Sequence, residues 1–186
     1  PCNTVYSSYM KYIEFRKDLK MKLELKNIKH TQWASEETHC YQAALYVDGK
    51  PVAIVSNDGH GGCDRDYDHP KFKGDYRATM KAVHDYFKTL PKTDPCEWMP
   101  DGMEQQLEYW CADQVNEFLV SRELKNKMKK QVLFQKIDQA GIFGMKLRPT
   151  ATDGDWVKDP RSSEYGRRIL NDMPFADALV LWSASA

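Results

Sequence analysis

An α+β fold, in which a small antiparallel sheet packs against several α-helices, follows from three observations. The stretches Lys22–Lys29 and Thr38–Val47 alternate apolar with polar residues, as half-buried strands do. Asp48-Gly49 joins the second stretch to Pro51–Ser56, where Val52 and Ile54 repeat the alternation, so the pair reads as a hairpin. Further on, apolar residues recur at steps of three and four, the period of a helix.

Taken in order, Pro1–Lys20 carries Val5, Tyr9, Ile13 and Phe15 and reads as a short helical extension, peripheral to the body. In the first strand Leu23 and Leu25 face inward, and in the next Tyr41, Ala43, Leu45 and Val47 share one face. A polar loop, Ser56–Pro70, leaves the hairpin. The spacing of Tyr76, Met80, Val83, Phe87 and Leu90 predicts a helix over Asp75–Leu90, ended by Pro91. Lys92–Gly102, with Pro95 and Pro100, is a connecting loop pinned by Trp98. Leu107, Trp110, Val115, Phe118 and Leu119 predict a second helix over Met103–Lys129, acidic early and basic late as the helix dipole favours, with a break near Glu123. Gln131–Ile137 and Met145–Arg148 form a later strand pair, and Glu164–Asn171 and Phe175–Trp182 are closing helices. With no internal repeat, low-complexity tract or linker, residues 1–186 are expected to form a single domain.

Composition narrows the function. The 27 lysines and arginines balance the 27 aspartates and glutamates, so the overall field draws in neither nucleic acid nor anionic lipid. The five cysteines are odd in number and contain no CxxC pair, which fits thiols in a reducing compartment, and the expected location is the cytoplasm. No apolar run reaches the length of a spanning helix, and Pro1–Lys20 lacks the apolar core of a signal peptide, so no membrane partner is expected.

Candidate chemistry concentrates in the glycine-hinged loop. Three glycines in four positions bring backbone N–H groups toward a ligand, which makes Asn57, Asp58, Gly59, His60, Gly61, Gly62 and Arg65 the candidate ligand-binding residues. The ligand of such a nest is an anion, a nucleotide or a signalling molecule, with Arg65, Lys71 and Lys73 as counter-charges. A zinc reading uses Cys40, His60, Cys63 and His69, or His39 in place of His69, and makes the chain a metal-dependent enzyme centred on His60 and Cys63. A calcium reading uses Asp64, Asp66 and Asp68, with Asp75 at the twelfth position, although His69 stands where the turn glycine belongs. The plainest reading is an Ω-type turn in which Asn57 and Asp58 bond their own backbone, and it requires no cofactor.

Other signals are weaker as chemistry. Cys63 beside His60 or His69 lacks the orienting group and oxyanion donors of a thiol nucleophile, so the chain leans away from being an enzyme. Glu36-Glu37 and Asp113 with Glu117 fit solvated faces or salt bridges. Arg122, Lys125, Lys127, Lys129, Lys130 and Lys136 form a basic helix end, and Lys125–Lys130 is the local patch through which nucleic acid would bind. Arg161, Arg167 and Arg168 extend it only if the fold brings them together. Five tryptophans and ten tyrosines exceed what a core of this size needs, which points to aromatic anchors on the surface.

The run Leu45-Tyr-Val-Asp-Gly-Lys-Pro-Val-Ala-Ile-Val-Ser-Asn-Asp-Gly-His-Gly-Gly-Cys63 resembles the hairpin and glycine loop of small uncharacterised proteins of bacteriophages and prophages. Lys129–Phe134 and Asn171-Asp-Met-Pro-Phe175 are similar to later segments of those proteins. The resemblance implies a phage accessory protein of anti-defence type, which binds and inhibits or redirects a host protein or nucleoprotein complex such as a CRISPR effector. It carries over no functional residue.

Overall fold

The computed structural model describes residues 21–93, 95, 99–136, 141–146 and 167–185. The expected α+β architecture is present: among the described residues there are three α-helices and two antiparallel sheets, one of four strands and one of three. By internal contacts the chain divides into two compact units, Leu19–Phe118 and a second within Leu119–Ala186, each with its own sheet. The extension expected over 1–20 and the pin at Trp98 lie outside the described residues.

In the first unit, β1 (Leu23–His30), β2 (Tyr41–Val47), β3 (Lys50–Asn57) and β4 (Arg65–Asp68) lie side by side in chain order. Asp48 and Gly49 both take positive φ, 49° and 78°, the left-handed pair that lets a two-residue turn follow the twist of its strands. Tyr41 pairs with Asn57, Ala43 with Val55 and Leu45 with Ala53, so these residues line one face, and all six are buried. The first helix, α1 (Tyr76–Lys88), buries Met80, Val83 and Phe87. Asp75 caps it by accepting the Ala78 N–H at 2.9 Å. Phe87 meets Trp110 of the second helix, α2 (Leu107–Met128), with ring centres 6.4 Å apart.

Three expectations need correction here. The loop Ser56–Pro70 contains a strand, β4, paired with Ala53–Ser56 of β3. That strand overturns the calcium-loop geometry, because carboxylates at alternate positions of an extended chain lie about 6.5 Å apart along it and do not wrap one ion. The second helix starts at Leu107 rather than Met103. Met103 donates its N–H to Thr93 Oγ1 at 2.8 Å and accepts from the Thr93 N–H at 2.9 Å, which holds it in the preceding loop. No break occurs near Glu123, whose carboxylate pairs with Lys127 at 3.0 Å one turn on.

In the second unit, β5 (Gln131–Lys136) lies between β6 (Ile142–Lys146) and β7 (Arg167–Ile169), and α3 (Phe175–Ser183) follows a short 3-10 turn, Leu170–Asp172. Leu124, Leu133, Leu170 and Ala178 form its core. A strand pair is present as β5 and β6, antiparallel from Gln131 with Lys146 to Gln135 with Ile142, but its second strand begins at Ile142, three residues before the expected Met145, because residues 142–146 pair with β5. The helix expected over Glu164–Asn171 is not: its described part is β7 and the 3-10 turn. Asn171 explains the change. Its side chain accepts the Leu133 N–H at 2.8 Å and donates to the Met128 and Gln131 carbonyls, each at 3.1 Å, tying the chain to β5 where a helix would have continued.

Candidate functional site

The glycine loop is held by one buried side chain. Asn57, at the end of β3, accepts from Thr38 Oγ1 and from the Gly59 N–H, each at 2.8 Å. Its amide nitrogen donates to the Gly62 carbonyl at 2.8 Å and to Asp64 Oδ1 at 3.0 Å. The other oxygen of Asp64 accepts from the Tyr41 hydroxyl, and the Asp64 N–H reaches Glu108 Oε1 of α2 at 3.3 Å. Gly59 takes φ +91°, and its carbonyl accepts from the N–H groups of Glu36 and Glu37 at 3.0 Å and of Thr38 at 3.3 Å. A Cβ at Gly59 would strike the Ala34 carbonyl oxygen, so only glycine lets the loop lie against the 31–38 segment.

Three of the five amides of Gly59–Cys63 are engaged within the chain. Of the amides in the proposed nest, Gly59 donates to Asn57, His60 to Asp58 at 3.4 Å and Gly61 to Thr38 Oγ1 at 3.4 Å. Asp58 also pairs with Arg65 at 3.1 Å. The Ω-turn reading therefore describes the bonding of the loop. The residues of the zinc reading are not assembled: among the described residues no three His, Cys, Asp or Glu side chains form a group that would hold a metal ion. His60 meets Glu36 at 3.2 Å, His69 Nδ1 accepts the Lys71 N–H at 3.1 Å, and His39 meets Asn116 at 2.8 Å. Cys40 is half-buried and Cys63 exposed.

Beside the loop, Asp64, Asp66, Glu104 and Glu108 with His84 and Lys88 line a cleft of about 280 Å³. Asp66 lies on β4 and Asp64 immediately before it, and Tyr76 donates its hydroxyl to Asp66. Burial, with the neighbouring Cys111 and Asp64, raises the Tyr41 phenol above its ordinary range. Burial, with Asp64, likewise raises the Cys111 thiol. Both groups keep their protons at neutral pH, so neither supplies a nucleophile there.

The feature that sequence reasoning passed over is Trp33. It sits on the 3-10 turn Gln32–Ala34 and is 88% exposed, far more than any other large apolar side chain among the described residues. The turn is nonetheless well tied. Thr31 donates its N–H to the Cys40 carbonyl at 2.9 Å, and Ser35 Oγ donates to the Thr31 carbonyl and accepts from the Cys40 N–H, each at 2.9 Å. A lone tryptophan among Gln32, Ser35, Glu36 and Glu37, outside any apolar period, was the available sign. The expectation of surface aromatics also meets Tyr67 on β4, Tyr109 and Phe143, all exposed.

In the second unit the basic run Lys125–Lys130 is divided. Lys125 lies over the Phe175 ring at 4.7 Å and Lys127 over the Trp182 ring at 4.6 Å, leaving Lys129 and Lys130 exposed at the end of the helix. Among the described residues no helix is long and apolar enough to cross a membrane. No known protein family, curated protein or solved structure matches the chain.

Proposed function

We propose that this chain is a non-enzymatic binding protein that inhibits or redirects a bacterial host protein or nucleoprotein complex, and that Trp33 is its anchor. The observation that carries the reading is an exposed tryptophan on a turn whose backbone is already fixed. Large, rigid aromatics dominate binding energy at protein interfaces, and an anchor held in place before binding loses little conformational entropy on docking. The phage-protein resemblance of Leu45–Cys63 supplies the class of partner. The internal bonding of the glycine loop supports a structural rather than a catalytic part for it, that of positioning the Trp33 turn.

The test is site-specific photo-cross-linking. A photoreactive phenylalanine analogue at position 33, in chain expressed in a bacterial host, is expected to form a covalent adduct with one host protein. Retention of that same protein on immobilised chain should fall about thirtyfold or more with Trp33→Ala, the loss of a hot-spot residue, and stay unchanged with Tyr109→Ala. Equal retention by the Trp33→Ala chain would sink the proposal.

A further inference from the structure

A second surface of the first unit carries a different chemistry. At the Asp48–Gly49 end of the four-stranded sheet, residues from the hairpin and from the segment between β4 and α1 enclose a cleft of about 610 Å³. Its rim holds three lysines, Lys50, Lys71 and Lys73, and its walls include Val47, Pro51, Val52 and Phe72. This is the opposite end of the sheet from the glycine loop. Arg65 pairs with Ser56, Asp68 with Ala53, and the His69 N–H reaches the Val52 carbonyl at 3.0 Å, so the chain has run the length of β3 before it reaches Lys71. Lys71 and Lys73 therefore do not serve the Gly59–Cys63 amides as counter-charges; β4 carries them away.

Among the described residues the ammonium groups of Lys50, Lys71 and Lys73 have no carboxylate partner, whereas Lys22, Lys26, Lys81, Lys88 and Lys127 each have one. The only carboxylate on the cleft lining is Asp48, and it accepts the Lys22 backbone N–H at 3.0 Å. The first turn of α1 adds little positive field of its own, since Asp75 already takes the Ala78 N–H. Three like charges drawn around one concavity repel each other and are relieved by an anion. Phe72, half-buried with the tip of its ring beside Gly74, is the one aromatic on the lining, and an aromatic next to lysines is the pairing that accepts a base and its phosphate. The volume is ample for one nucleotide.

We infer that this cleft binds the phosphate of a nucleotide, free or within a single strand, on Lys50, Lys71 and Lys73, with the base against Phe72. The site is independent of Trp33 and stands whether or not the protein-binding proposal does.

The experiment titrates the intact chain with ATP, with adenosine, and with a fluorescein-labelled single-stranded 12-mer, and maps the contacts by amide NMR shifts. ATP or the 12-mer is expected to bind and adenosine not, with shifts at Asp48–Val52 and Lys71–Gly74. The double variant Lys71→Glu/Lys73→Glu should lose about tenfold or more in affinity, Phe72→Ala should weaken binding, and Lys129→Glu/Lys130→Glu should leave it unchanged. Melting temperature checks that each variant is folded. Binding of ATP assigns the site to a free nucleotide, and binding of the 12-mer alone assigns it to a strand. No binding of either up to millimolar concentration, binding indifferent to the Lys71/Lys73 reversal, or shifts confined to Gly59–Cys63 or Lys125–Lys130 would overturn the inference.

Discussion

At the Asn57 end of the four-stranded sheet one buried amide side chain gathers Thr38, Gly59, Gly62 and Asp64 around itself, whereas at the Asp48–Gly49 end three lysines ring a cleft without a carboxylate partner. Both ends are loops leaving the same strand, and both contain a glycine at positive φ. The difference is that one loop closes onto the 31–38 segment and the other opens to solvent. Density of candidate ligands in the sequence marks the first end; capacity to receive a ligand marks the second. A polar cluster bonded within itself fixes the backbone, whereas exposed like charges gathered round one concavity create a field that draws an anion.

The strongest way to break this contrast is to place the same side chain at both turns. Gly59→Ala adds strained φ and a collision with the Ala34 carbonyl, and is expected to cost about 3 kcal/mol or more in urea unfolding. Gly49→Ala meets nothing within 4 Å, so only its φ of +78° is strained, and about 1 kcal/mol is expected. Equal losses would mean that the glycine loop is not clamped. Next in size, Asn57→Ala leaves the Thr38 hydroxyl and the Gly62 carbonyl without their partner, a loss of about 2 kcal/mol read from the same unfolding curves. A change below about 0.5 kcal/mol would show that the hub is dispensable.

The smallest effect, about 1 kcal/mol, is expected for Tyr41→Phe, and pH sharpens it. The folded chain holds the Tyr41 proton more tightly than the unfolded chain, whose phenol titrates near 10.0, so stability is complete below that pH and falls as pH rises through and beyond it. Cys111 acts in the same direction, with an onset near its ordinary 9.0. Urea midpoints from pH 7 to 11 should decline from about 9, and less steeply in the Tyr41→Phe chain. A midpoint that holds level to pH 11 would contradict the burial of both groups.

The contrast also explains how much the sequence disclosed. β1 and β2 were legible because Leu23 and then Tyr41, Ala43, Leu45 and Val47 fall at alternate positions and are buried; in β3 the bulge opposite Leu45–Tyr46 buries Val52 and Ala53 in succession, and Val55 rather than the expected Ile54 shares the face of Leu45. β4 was not legible, because Arg65-Asp-Tyr-Asp68 is an edge strand exposed at every position and carries no apolar alternation. β7 was missed because three residues are too few to show a period, and Asn171, which ends the run, acts through contacts 38 to 43 residues away. At the glycine loop the residues were legible and their use was not: Asn57 was expected to bond its own backbone, and it does, yet Thr38, Tyr41 and Glu108 complete the network from distant positions. The lysine cleft was invisible for the same reason, since Lys50 joins Lys71 and Lys73 only after β3 and β4 pair.

The short, fully exposed β4 carries a further consequence, for the behaviour of many copies together. Among the described residues it is one margin of the four-stranded sheet, and three of its four side chains are charged. The opposite margin, β1, is interrupted by a bulge at Asn27, φ 55°, and bears Glu24, Lys26 and Lys29. A strand from a neighbouring molecule that added to either side would meet these charges or the irregular backbone. Edges of this kind disfavour strand addition between copies of the chain, the first step of growth into fibrils.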